Sequence, residues 1–245
     1  MNQMRNVECR MRILIPNCEF RNGESEIRNR KFEIGIVECR MKNSGNILLC
    51  GVGGQGILLA SEIISSALMN AGYDVKQSEV HGMAQRGGSV VAHLRYGEKV
   101  YSPLIEPGGA DIAVSFELLE ALRYLPYYGR ETRVIVSTQK ILPAPVSTGM
   151  DTYPDDVLEQ LTGRGLAVLP IDAFEVAKSA GEARAVNMVL VGALSFFLPI
   201  DETVFLDVIE KRIHGRIRKV NTEAFFKGKE AMRRMQEVVN SHAME

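Results

Sequence analysis

Asn46-Ile47-Leu48-Leu49-Cys50-Gly51-Val52-Gly53-Gly54-Gln55-Gly56 is the stretch that decides the fold. Its first five residues are a short apolar run between polar residues and glycine, the pattern of a buried parallel strand. Gly51 to Gly56 then read G-x-G-x-x-G. Behind them Ile57, Leu58, Ile63, Ile64, Ala67 and Leu68 recur at helical spacing, and Gly72 is a natural stop. Strand, glycine fingerprint and helix in that order form the context in which the fingerprint has meaning. Gly51 permits a tight turn, Gly53 lets the backbone approach an anion, and Gly56 brings the helix close to the strand. The free amides of the helix N-terminus then face an anion with the favourable end of the helix dipole. A tight turn with no ligand would satisfy the same letters. Gln55 is an unusual insert, and its side chain is expected to project from the loop toward whatever lies there.

A second strand is expected over Tyr73–Ser78. In a nicotinamide-binding unit an acidic residue about 20 positions after the glycines holds the ribose, and Asp74 and Glu79 stand near that place. They support an alternative reading as a free-standing NAD(P)-dependent Rossmann oxidoreductase. A nucleotide-sensing module using the same loop is a non-enzymatic third.

Glu79-Val80-His81-Gly82-Met83-Ala84-Gln85-Arg86-Gly87-Gly88-Ser89 follows. Neither helix nor strand favours this composition, so it is expected to be a loop at the carboxyl end of a strand, where open α/β sheets place ligands. His81 can exchange protons near neutral pH. Arg86 offers forked donors for carboxylate or phosphate, and Gly87 and Gly88 expose backbone amides. Ser89 then opens a strand to Arg95. The candidate cofactor-binding or interface residues are therefore Gly51, Gly53, Gly54, Gln55, Gly56, His81, Gln85, Arg86, Gly87, Gly88 and Ser89. A plain glycine-rich surface loop is the simpler reading, and burial in a subunit interface the more serious one, since Arg and Met are enriched there.

These two motifs, one closing the first strand and one following the second, resemble the gamma component of 2-oxoacid:ferredoxin oxidoreductases. Within that family they resemble the small (beta) subunit of the indolepyruvate enzymes. The resemblance covers roughly residues 46–236. It implies oxidative decarboxylation of a 2-oxoacid to an acyl-coenzyme A, with thiamine diphosphate, Mg and iron–sulfur clusters on a large catalytic partner and ferredoxin as electron acceptor. Coenzyme A is a possible shared ligand. It also implies a cytoplasmic, oxygen-poor setting.

Downstream, strands are expected at Asp111–Ser115, Thr132–Ser137 and Leu166–Ile171. Helices are expected at Leu118–Leu125, Pro154–Leu161, Ala173–Ala180, Asn187–Leu198, from the Asp201 cap to Arg212, and from an Asn221 cap to about Val239. Alternation of the two predicts a three-layer α/β/α Rossmann-like domain with a mostly parallel sheet. Asn187 is read first as a helix cap, His93 as structural, and Phe225, Phe226, Met232 and Met235 as packing. Lys211, Arg212, His214, Arg216, Arg218 and Lys219 are read as a solvated face.

Residues 1–44 differ from the rest. They carry nine basic and six acidic residues, a net +3, so the remaining 201 carry −4 to reach the total of −1. The segment is expected to be a poorly ordered N-terminal extension, with a compact gamma-type α/β domain over 45–245. Cys9, Cys18 and Cys39 lie in it at spacings that match no zinc pattern. The chain has no C-x-x-C and no G-D-G with the asparagine pair expected of a thiamine diphosphate site. No metal ligand and no catalytic residue is assigned to it, and the chain is not expected to be active alone. The near-neutral charge argues against a chain-wide surface for nucleic acid. The longest apolar stretch, Met188–Ile200, is 13 residues, short of the ~20 that span a bilayer. With no secretory signal pattern, a cytoplasmic protein is expected.

Overall fold

The computed structural model describes residues 10–11, 37–38, 44–81 and 87–242. Its contacts divide the chain into two units, Lys42–Met232 and a smaller one made of Met1–Met41 with Arg233–Glu245. In the smaller unit, β1 (Arg10–Met11) and β2 (Val37–Glu38) pair antiparallel.

The larger unit is built on one six-stranded sheet. Its strands are β3 (Gly45–Val52), β4 (Asp74–His81), β5 (Ser89–Gly97), β6 (Ala110–Ser115), β7 (Tyr128–Ser137) and β8 (Ala167–Ile171), in the spatial order β4-β5-β3-β6-β7-β8. β3, β6, β7 and β8 pair in parallel. β5 is antiparallel to both β3 and β4, so five of the six strands share a direction. The expected α/β class with a mostly parallel sheet is what is found.

Helices cover both faces. α2 (Leu118–Arg123) and α4 (Val157–Thr162) pack on one side, where Leu48, Cys50, Val91, Val134 and Val136 are buried beneath them. α1 (Ile57–Asn70), α5 (Ala173–Ser179), α6 (Val186–Ser195) and α7 (Glu202–Arg212) form the other layer. The last helix, α8 (Arg216–His242), runs on from it, and a single turn, α3 (Ala144–Ser147), lies in the long loop after β7. Alternation in β3 explains the two cores, because successive side chains leave opposite faces of a strand. Among the described residues no helix is long and apolar enough to cross a membrane.

Several boundaries differ from the sequence reading. β4 continues to His81, so Glu79, Val80 and His81 are strand residues paired with Ala92, Val91 and Val90. Cross-strand partners hold them there, which no local propensity shows. Pro154 precedes α4 rather than opening it; Asp156 is the residue before its first turn. α8 starts five residues before Asn221, just after Gly215, whose φ of 72° breaks the chain from α7. Asn221 does not cap it; its Nδ2 donates to Ile217 O one turn back. Asn187 lies inside α6 rather than before it, buried at 6% exposure.

Candidate functional site

Chain order reverses between β3 and β6. From β3 the chain passes through α1 to β4 on one side, and from β6 it proceeds through β7 to β8 on the other. The crevice beyond the carboxyl ends of β3 and β6 is thus the switch point at which open α/β sheets bind ligands. The first glycine motif ends β3 there.

Gln55 occupies that crevice. Its Oε1 accepts from Val52 N–H at 2.8 Å, and its Nε2 donates to Phe116 O at 2.8 Å, at the exit of β6. The side chain, expected to project from the loop toward whatever lies there, meets the end of β6. It folds back because the strand ends on either side offer an unpaired donor and acceptor. Gly51 makes room for it: a Cβ there would stand 2.7 Å from Gln55 Oε1 and 2.7 Å from Phe116 Cβ. Gly56, at φ 79°, precedes α1, and a Cβ on it would meet Asn187 Nδ2 at 2.7 Å. Its missing side chain therefore admits α6, as well as the turn.

The two glycine motifs are joined to each other. Gly53 N–H donates to Gly88 O at 2.8 Å, and Gly87 N–H reaches Gly53 O at 3.4 Å. The Gly53 amide, expected to face an anion, is taken by the second loop. Gly54 and Gly87 remain exposed, with left-handed backbones and open space where a side chain would lie. The backbone of His81 ends β4 opposite Val90; Gln85 and Arg86 lie outside the described residues.

Beneath the second loop is a buried polar network that the sequence reading missed. Ser89 Oγ donates to Glu120 Oε2 and lies 3.0 Å from Tyr124 OH. Glu120 is 4% exposed and also accepts from Arg123 Nε at 2.8 Å. Burial and the neighbouring Glu120 push the Tyr124 hydroxyl up, although Ser89 opposes this. Beside it Glu117, 1% exposed, caps α2 through Glu120 N–H at 3.0 Å, accepts from Ile141 N–H at 3.0 Å, and accepts from Tyr153 OH at 2.6 Å. Desolvation, followed by the bond to Glu117, drives the Tyr153 phenol far up. The one readable signal was Glu117-x-x-Glu120 before an apolar run, a variant of the capping box with a carboxylate at its head.

Cys50 lies under this network with its thiol pushed up to about 12 by burial. A thiol so raised is inert as nucleophile or ligand. Among the described residues no group of three or more His, Cys, Asp or Glu is placed to hold a metal ion. These residues do not fit thiamine diphosphate with its metal, or an iron–sulfur cluster.

The dinucleotide reading fails on topology. It needs the second strand beside the first, with its acid over the glycine loop. Here β5 lies between β3 and β4. Asp74 opens β4 at the far end, where it accepts from Lys76 Nζ and from Val100 N–H. Both bonds hold its carboxyl below the usual range. Glu79 accepts from Ser61 Oγ at 2.9 Å and Gln77 Nε2 at 2.5 Å.

Comparison with known proteins agrees with this geometry. The family model described as "Pyruvate ferredoxin/flavodoxin oxidoreductase" matches residues 46–231. The indolepyruvate oxidoreductase subunit IorB of Archaeoglobus fulgidus is 41% identical over 187 residues, covering 75% of this chain and 92% of that protein. The IorB of Thermococcus kodakarensis is 40% identical over 195 residues, covering 78% and 96%. The crystal structure of a keto/oxoacid ferredoxin oxidoreductase gamma subunit from Geobacter sulfurreducens shares the fold at a TM-score of 0.58 and 18% identity, over 77% of this chain and 98% of that one.

Proposed function

The chain belongs to the pyruvate ferredoxin/flavodoxin oxidoreductase family, and from that premise we propose that it is the small, accessory subunit of a 2-oxoacid:ferredoxin oxidoreductase acting on indolepyruvate or a related arylpyruvate. The observation that carries this reading is the pairing of Gly53 with Gly88. It makes one surface of the two glycine motifs at the carboxyl end of the sheet and leaves Gly54 and Gly87 open to an approaching molecule.

In this reading the larger subunit holds thiamine diphosphate, Mg and the iron–sulfur clusters, which supply carbanion chemistry and single-electron transfer toward ferredoxin. This chain holds geometry. Gln55 fixes the first loop to β6, and Ser89 and Glu120 fix the second to α2. The open faces of Gly54 and Gly87, with the second glycine motif that carries His81, Gln85 and Arg86 in sequence, dock on the partner and border the coenzyme A pocket. Cytoplasmic placement follows from this assignment.

The test is reconstitution. The large subunit is assayed with and without this chain, using indolepyruvate or phenylpyruvate, coenzyme A and an electron acceptor. Activity is expected only from the pair; full activity of the large subunit alone would overturn the proposal. Arg86→Ala is expected to raise the apparent requirement for coenzyme A or to weaken assembly, and no change in either would remove the second loop from the site.

A further inference from the structure

At the opposite end of the parallel strands from the glycine loops, β7 begins irregularly. Tyr128 pairs with Ala110, yet the next pair is Arg133 with Ile112, so β7 advances five residues while β6 advances two. The excess forms a bulge, a device that re-aims side chains next to sites. It is firmly held. Thr132, 1% exposed, donates from Oγ1 to Ala110 O at 2.5 Å and accepts from Gly129 N–H at 2.8 Å. Gly129 must be glycine, since a Cβ would stand 2.5 Å from Gly108 O.

The bulge borders an open surface groove of about 470 Å³. Its apolar lining is Leu125, Pro126 and Leu166, with Tyr128 beside them. Arg130, within the bulge, and Arg164, in the turn before β8, are both exposed at it. Among the described residues neither guanidinium has a carboxylate partner, whereas Arg123, Arg212 and Arg218 all do. Two unpaired forks over an apolar floor suit a ligand with an anionic head and a compact apolar body.

We propose that this open groove binds a small organic anion, its carboxylate or phosphate held between Arg130 and Arg164 and its apolar part resting on Leu125, Pro126 and Leu166. The site is independent of the glycine loops and of the function proposed for them.

Phenyl phosphate is the probe, titrated into the full-length chain while backbone amide resonances are followed. Saturable shifts at Gly129, Arg130 and Gly165 are expected, with inorganic phosphate binding about tenfold more weakly for want of an apolar part. Sodium chloride at matched ionic strength should give no saturation. The double variant Arg130→Ala/Arg164→Ala, which alters only exposed side chains, should keep the sheet resonances and bind about tenfold or more weakly. Shifts that never saturate, that sodium chloride reproduces, or that survive in the double variant would overturn the site. A Leu166→Ala variant binding phenyl phosphate no better than phosphate, with the arginines intact, would support the apolar floor.

Discussion

Gly53 and Gly88 are joined backbone to backbone: the amide of the first donates to the carbonyl of the second at 2.8 Å. The bond extends the β3–β5 ladder one step past Val52 and Ser89. The four-residue loop between β3 and α1 is therefore tied to the start of β5, 35 positions along the chain. Amide exchange follows local opening. The Gly53 amide is expected to exchange at the slow rate of β3, and the Gly54 amide far faster. Equal fast exchange at both would show that the loops are not joined.

Gln55 bridges β3 and β6, and its removal strands two backbone groups. In Gln55→Ala the Val52 N–H and the Phe116 carbonyl lose their partner. A buried group left unpaired costs about 1–3 kcal/mol, so a loss of about 2 kcal/mol in urea unfolding is expected. Gln55→Glu should lie between, because the acceptor for Val52 survives while a carboxylate oxygen faces the Phe116 carbonyl. An unchanged unfolding midpoint in the alanine variant would contradict the bridge.

Much of this was legible. The β3 apolar run, the glycine spacing and the α1 period fixed the first βα unit, because burial and local backbone geometry leave direct marks on sequence. The place of β5 was not legible. Whether the third strand joins outside the second or inserts between it and the first depends on pairing partners far along the chain. That single insertion moves Asp74 and Glu79 away from the loop and reverses the meaning of an acidic residue at the expected spacing. The partners of Gln55 were not legible for a related reason: Val52 and Phe116 come together only once β6 lies beside β3.

Tyr153 ties the long loop after β7 to the sheet end. Its hydroxyl donates to buried Glu117 at 2.6 Å and accepts from Leu119 N–H at 3.0 Å. Tyr153→Phe keeps the ring and removes both bonds. A loss of about 1–2 kcal/mol is expected, together with faster proteolysis between residues 138 and 153. If cleavage of that loop is as slow as in the parent chain, Tyr153 does not hold it.

His93 makes stability depend on pH. It is 4% exposed, its Nδ1 accepts from Ile105 N–H at 3.2 Å, and its ring meets Tyr127 edge-on at 5.2 Å. Burial lowers its pKa from 6.5. The unfolded chain therefore takes the proton first as pH falls. The contribution is complete above about 6.5 and is lost progressively below it, down through the folded value. Urea midpoints measured above and below that point should fall on the acid side in the parent chain. In His93→Gln the part of the fall due to this residue should vanish, and an identical pH dependence in both chains would exclude it.

Gly192 and Gly228 mark the crossing of α6 and α8. A Cβ on Gly192 would stand 1.9 Å from Phe225 O, and one on Gly228 would stand 1.9 Å from Val189 O. Each helix thus lies against the bare backbone of the other, with the tilted rings of Phe205 and Phe225 packed beside the crossing, centroids 5.5 Å apart. Both obstacles are main chain, so no rotamer change relieves them. Alanine in place of glycine normally favours a helix by about 1 kcal/mol. Here overpacking should reverse the sign and cost about 3 kcal/mol or more in either Gly192→Ala or Gly228→Ala. Because either substitution alone forces the helices apart, the double variant should cost much less than the two losses added. Thermal unfolding of the three variants reads this directly, and a single variant as stable as the parent would show that the two helices do not cross in contact.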